Sequence, residues 1–209
     1  MVITTGPITG TSAPCSGRYV VATKSPLTGT WGEAHASGFW GPELKYAGFD
    51  VLVIKGKAKN PTYLWINDGK LEFRNAIHLM GKDTYETEET LREELNDKKI
   101  RVLCIGPAGE KLSRIAAIIN DHGRAAARGG LGAVMGSKNL KAIAVRGHGK
   151  LPLANGDSFN ELRSLFRLIA DSPPGLALKA HGTDVGMETL NVMGDVPIKI
   201  GLKVLGRKE

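Results

Sequence analysis

The sequence predicts an α+β fold: two related β-rich repeats with interleaved helices, followed by the start of a helical domain. Three observations lead there. Strand-like segments punctuated by glycine loops fill the chain from Met1 to about Gly149, one glycine motif occurs twice, and the hydrophobic period changes near Asp157. At 209 residues the chain can bury one core plus a helical extension. Its 27 glycines are about twice what average usage of ~7% gives, so the backbone must turn tightly or approach itself closely at many points.

The strands come first. Arg18–Thr23, Val51–Ile54, Thr62–Ile66 and Leu71–Arg74 concentrate β-branched and aromatic residues, and Asn67-Asp-Gly-Lys70 joins the last two as a hairpin turn. Asp83 with Glu86 has the form of a capping box, which starts a helix through Leu91 and Leu95 that feeds a strand over Arg101–Ile105. Farther on, Phe159, Leu162, Leu165, Phe166 and Ile169 recur at helical spacing until Ser172-Pro-Pro-Gly175 interrupts them. The expected division is residues 1–150 as one domain and 151–209 as the start of a helical one.

The repetition is visible when the chain is compared with itself. Ala36-Ser-Gly-Phe-Trp-Gly41 and Ala127-Arg-Gly-Gly-Leu-Gly132 are both A-x-G-x-x-G, at an offset of 127 − 36 = 91. The same offset, without a gap, lays Val51-Leu-Val-Ile-Lys-Gly56 on Ala142-Ile-Ala-Val-Arg-Gly147. Each glycine loop thus leads through a short helical segment to a strand ending in a basic residue and glycine. Upstream, Gly6-Pro7 echoes Gly106-Pro107, and Arg18 before its β-run echoes Arg114 before Ile115–Ile119.

A glycine loop that opens a helix exposes main-chain amides whose positive field suits phosphate, and two loops make two such sites. The same glycines also serve simply to pack a helix close to a sheet. The second loop adds Arg124 and Arg128, four apart and on one face if the segment is helical, where they suit a pyrophosphate or remain two solvated cations. Other nucleotide motifs do not fit. Gly132-Ala-Val-Met-Gly-Ser-Lys138 has its serine before its lysine, unlike a P-loop, and no strand, G-x-G-x-x-G and later acidic residue occur in the order a dinucleotide site needs. No nucleophile with a base is recognisable, so no catalytic residue is assigned.

Composition narrows the partners. The formal charge of +7 is compatible with anionic ligands or with an ordinary solvated surface, but the chain lacks the interleaved aromatics and recognition helix of a nucleic-acid module, so no nucleic acid is expected. Two cysteines, Cys15 and Cys104, exclude a zinc site of the C-x-x-C type and a disulfide framework. No apolar run is long enough to span a membrane and no leader is recognisable, so a cytoplasmic chain without membrane partners is expected.

At these loops the sequence resembles the aldehyde:ferredoxin oxidoreductase family over about residues 4–200, carried by GPITGTSAPCSGRYVVATKSPLTG, GFWGPELKYAGFDVLVIKGKA, IGPAGE and INDHGRAAARGGLGAVMGSKNLKAIAV. The resemblance implies that residues 1–150 are a bis-pterin cofactor-binding domain, with tungsten or molybdenum held by dithiolene sulfurs and a magnesium ion bridging the pterin phosphates. It also implies a [4Fe–4S] cluster in the full-length protein, ferredoxin as electron acceptor, an aldehyde substrate and a homodimer. Carried over by residue, Arg18 contacts cofactor; His35, Ala36, Ser37 and Gly38 form one phosphate loop; Arg124, Ala125, Ala127 and Arg128 form the other. The main-chain carbonyls of His35 and Ala125 become the magnesium contacts. His-Ala-Ser-Gly replaces the family's usual Asn-Ser-Gly-Gly at 35–38, and Cys15 stands where a threonine is expected, which points to a less usual subfamily.

Both ends read as cut. Met1 falls inside an expected β-run, and the tail 200–209 reads as a frame shift, because restoring one A after Lys199 returns a family-like sequence. With two cysteines where a cuboidal cluster needs four thiolates, the isolated chain is expected to be inactive. Alternative readings are a benzoyl-CoA-reductase-like member and a non-catalytic truncated product.

Overall fold

The computed structural model describes residues 1–194. The chain divides into two units, Met1–Pro152 and Leu153–Glu209. In the first, β1 (Val2–Thr5), β2 (Tyr19–Lys24), β3 (Trp31–Ala36), α1 (Trp40–Tyr46) and β4 (Val51–Val53) form a four-stranded antiparallel sheet of order β3-β2-β1-β4. Next come the hairpin β5 (Thr62–Asn67) and β6 (Lys70–Asn75), then α2 (Thr84–Glu94). The unit continues through β7 (Arg101–Cys104), α3 (Pro107–Glu110), β8 (Ile118–Asn120), β9 (Arg124–Ala126), α4 (Leu131–Ser137) and β10 (Leu140–Arg146). These later strands make a six-stranded sheet, β6-β5-β10-β7-β8-β9.

Read from its β9 edge, the second sheet runs β9-β8-β7-β10 and so repeats the order and the antiparallel pairings of β3-β2-β1-β4. The hairpin β5–β6 is an addition beyond β10, with β5 parallel to it. Helix positions obey the offset found in the sequence: 40 + 91 = 131 and 46 + 91 = 137, which are the bounds of α4. The repeat in residues is therefore a repeat in topology. The two copies interlock, since α1 lies against β7 and β10, while α4 touches β2 and β3 as well as its own β10.

Local chemistry accounts for most of these elements. Asp68 and Gly69 both have positive φ, 44° and 81°, which suits the two-residue turn between β5 and β6. Asp83 Oδ1 accepts from Glu86 N at 2.8 Å and Glu86 Oε2 from Asp83 N at 3.0 Å, a complete capping box for α2. The main core lies between the sheets and joins Tyr19, Val21, Trp40 and Leu44 to Leu103, Leu131, Ile143 and Val145. A second cluster lies on the other face of the six-stranded sheet, where Ala142, Ala144, Val102 and Cys104 meet Leu91 of α2. Burial on both faces explains why Ala142 to Val145 of β10 are apolar at every position rather than alternating.

Three elements differ from expectation. Residues 31–36 form β3 although no strand is read there in the sequence and His35 and Ala36 are placed in a phosphate loop; its inward positions are Gly32, Ala34 and Ala36, too small to carry a β signature. Residues 124–126, read as loop or helix, form β9, and the β-run placed at Ile115–Ile119 begins as a strand only at Ile118. Their pairing across the sheet overrides weak local propensity.

The second unit contains α5 (Gly156–Ala170), α6 (Pro173–His181), a 3-10 turn over Gly182–Gly186 and α7 (Met187–Met193). Asn155 caps α5 by accepting from Ser158 N at 3.0 Å. None of the residues in α5, α6 or α7 is buried, and Leu162, Leu165, Phe166 and Ile169 stay more than half exposed. The frame-shift reading of 200–209 lies outside the described residues.

Candidate functional site

The repeat places β3 and β9 at equivalent edges of their sheets, and these two edges neighbour each other. An edge strand leaves main-chain N–H and C=O groups without ladder partners, so two such edges offer polar backbone to whatever lies between. Between them is a cleft of about 300 Å³ lined by Arg18, His35, Ala36, Ser37, Gly123, Arg124 and Ala125. Ion pairs among the described residues engage Arg74, Arg92, Arg101 and Arg146 and leave Arg18 and Arg124 without a carboxylate partner. Two uncompensated guanidiniums on one cleft favour an anion with several oxygens.

Arg18 directly precedes β2, and Arg124 opens β9, so each repeat contributes one cation. His35 is exposed, with Nε2 3.3 Å from Glu33 Oε1, and Glu33 Oε2 accepts from Trp31 Nε1 at 3.1 Å. The Trp31 and His35 hydrogen bonds hold the Glu33 carboxyl below the usual carboxylate range. An adjoining cleft of about 500 Å³ shares Arg18 and Ser37 and adds Cys15, Gly17, Gly38 and Arg101. There the Arg101 guanidinium sits 4.6 Å from the centroid of the Phe39 ring.

The helix-opening amides are not free, contrary to the sequence reading. Asp121 Oδ2 accepts from Phe39 N at 2.6 Å and Trp40 N at 3.3 Å at the start of α1, and Ala116 O accepts from Gly132 N at 2.9 Å at the start of α4. Capacity for anions therefore rests on the edge strands and the guanidiniums. The helical Arg124–Arg128 pair is also corrected: Arg124 is in a strand, the strand ends at Ala126, and Arg128 lies in the bend beyond it. The glycines after that bend serve close packing. At Gly130, with φ of 71°, any Cβ would run into the Arg114 carbonyl.

Of the residues singled out in the sequence, Arg18, His35, Ala36, Ser37, Arg124 and Ala125 line the smaller cleft, Gly38 lines the larger one, and Ala127 and Arg128 line neither. Sequence reasoning missed Gly123, Asn120 and Asp121. The run Asn120-Asp-His-Gly123 is a turn signal, but its partners lie some 80 residues upstream, where no local pattern points to them.

Comparison with known proteins bears on the same residues. A family model described as "Aldehyde ferredoxin oxidoreductase, N-terminal domain" matches residues 1–147. The tungsten-containing aldehyde ferredoxin oxidoreductase of Pyrococcus furiosus is 48% identical over 201 residues, covering 95% of this chain and 33% of that protein. An aliphatic sulfonate oxidoreductase WOR-like subunit of the same organism is 38% identical over 164 residues, 73% of this chain and 26% of its own length. Among solved structures, the active-site complex BamBC of benzoyl coenzyme A reductase, bound to 1,5 dienoyl-CoA, superposes with a TM-score of 0.76 at 42% identity, over 78% of this chain and 25% of that one. The chain thus spans about a third of the length of the curated relatives it matches. The doubled four-strand topology and a match that runs from residue 1 through β10 together assign it to the aldehyde ferredoxin oxidoreductase family, in the N-terminal domain.

Proposed function

We propose that this chain is the cofactor-cradling part of a tungsten or molybdenum bis-pterin oxidoreductase. The observation that carries the reading is the convergence of Arg18 and Arg124, one from each repeat and neither ion-paired among the described residues, on a cleft walled by two equivalent sheet edges. Two related phosphorylated ligands on two related edges match the doubling of the protein. Arg18 and Arg124 would hold pterin phosphate, the backbone of His35–Gly38 would complete one side, and the carbonyls of His35 and Ala125 would be the ligands for a magnesium ion. Carbonyl oxygens are suitable ligands for that hard cation. In a full-length enzyme such a centre would supply the two-electron oxidation of an aldehyde with water to a carboxylic acid, for which ferredoxin, reached through a [4Fe–4S] cluster, would be the electron acceptor. With two cysteines this chain cannot itself furnish four thiolates to a cluster and would not turn over alone.

Elemental analysis of the native full-length protein, with extraction of pterin, tests the reading. Tungsten or molybdenum with pterin is expected; absence of both metals and of pterin would defeat it. The 42% identity to BamBC supports a second reading, a member acting on acyl-CoA. Assays of the full-length protein with aldehydes and with acyl-CoA esters separate the two.

A further inference from the structure

We infer that Asp121 is a positioning residue: its carboxylate fixes the spacing between the two edge strands on which anion binding depends. The inference rests on the anion-cleft reading above. Asp121 belongs to the turn between β8 and β9 in the second repeat, yet it accepts from Phe39 N and Trp40 N of the first. The side chain is 8% exposed, and it also accepts from Asn120 Nδ2 at 2.7 Å and faces Arg101 Nη1 at 3.4 Å. Asn120 reinforces the link, because its Nδ2 donates to Ser37 O at 3.0 Å while its Oδ1 accepts from Tyr19 OH at 2.7 Å. Ser37 lines the cleft, so the second repeat holds the first repeat's wall directly. Gly38, at φ of 109°, leaves room for this approach; a Cβ there would run into the Asp121 carboxylate.

The turn that carries Asp121 is itself held from behind. Asp121, His122 and Gly123 have φ of 45°, 56° and 133°, three left-handed residues in succession, a conformation that persists only when its surroundings over-determine it. Helix α2 does so: Glu88 Oε2 accepts from His122 N at 3.2 Å, Tyr85 OH donates to His122 O at 3.0 Å, and the Tyr85 ring stacks on the imidazole with centroids 5.6 Å apart. Arg92 in turn pairs with Glu88, which is 2% exposed. Arg124 and Ala125 follow the turn immediately and face the cleft. The corresponding turn of the first repeat also reaches across, with Ser25 Oγ donating to Gly129 O at 2.7 Å, but Gly129 does not line the cleft. Only one of the two reciprocal contacts can therefore set the geometry of the binding edges.

Calorimetric titration of the full chain with inorganic pyrophosphate, together with amide exchange, tests this. Asp121→Ala should weaken pyrophosphate binding by about tenfold or more and speed exchange at Phe39, Trp40 and 121–125, with β10 protected as in wild type. Asp121→Asn keeps an acceptor oxygen for the Phe39 amide and should bind within about threefold of wild type. Wild-type affinity in Asp121→Ala, equal weakening in both variants, or weakened binding accompanied by loss of β10 protection would each overturn the positioning role. If wild type itself takes up no pyrophosphate, the cleft reading fails and the inference goes with it.

Discussion

The two repeats have the same strand order, pairing sense and helix register, but they are buried differently. In the first, β4 has Val51 and Val53 exposed at 45% and 60%; the positions 91 residues on, Ala142 and Ala144 of β10, are fully buried. The inserted hairpin extends the second sheet beside β10, and α2 covers that sheet's outer face. Asp50 is exposed and pairs with Lys45 at 2.7 Å, whereas its counterpart Lys141 is buried, with Nζ 2.5 Å from Glu110 Oε1 and 2.8 Å from Lys82 O. The cross-repeat ties differ as well, a carboxylate at Asp121 and a hydroxyl at Ser25. Shared apolar periodicity is enough to preserve a fold, while polar positions diverge because each answers to a partner outside its own repeat.

The largest expected contrast is thiol reactivity. Cys15 in the first repeat is exposed, whereas Cys104 in the second is buried and its thiol is pushed up to about 12 by desolvation. Thiolate is the nucleophile and burial also denies the reagent access, so at pH 8 iodoacetamide should label Cys104 more than about tenfold more slowly than Cys15, read by peptide mass spectrometry. Comparable rates would mean that the outer face of the second sheet opens readily.

Trp40 and Leu131 open α1 and α4 at equivalent positions, both fully buried. Trp40→Ala should cost about 3–5 kcal/mol in urea unfolding and Leu131→Ala about 2–5 kcal/mol. We expect the tryptophan to cost more, because its Nε1 also donates to Ile143 O of the other repeat at 3.0 Å. The reverse order would argue that the helices do not interlock the repeats as described.

Glu110→Ala strands the buried ammonium of Lys141 and should cost about 3 kcal/mol, most of it recovered in the Glu110→Ala, Lys141→Met double variant. Failure of the double variant to recover would locate the importance of Glu110 elsewhere, for instance in its contact to Gly81 N at 3.0 Å. Ser25→Ala removes one donor to Gly129 O and should cost about 1 kcal/mol, the smallest effect. It should leave pyrophosphate binding unchanged, which sharpens the contrast with Asp121.

Much of the fold was legible in the residues. The 91-residue offset located both helices, and Asn67-Asp-Gly-Lys70 and Asp83/Glu86 each announced a turn or a cap that forms as read. Strand β3 was hidden because its buried side is glycine and alanine, chosen for close approach rather than β propensity. The candidate site was half visible: Arg124 stood out as a cation beside a glycine loop and Arg18 through the family resemblance, but both loops were expected to present helix amides. Instead Asp121 and the Ala116 carbonyl already occupy those amides.

Periodicity, capping signals and self-similarity act over a few residues or by direct comparison of the chain with itself, and they were sufficient for the doubled α+β architecture. Which edges meet, which cations stay uncompensated and which carboxylate ties the halves together depend on contacts between residues some 80 to 100 positions apart. Such contacts form only when two sheets pack, since a burial free energy summed over the whole core, and no short pattern, brings them within hydrogen-bond range.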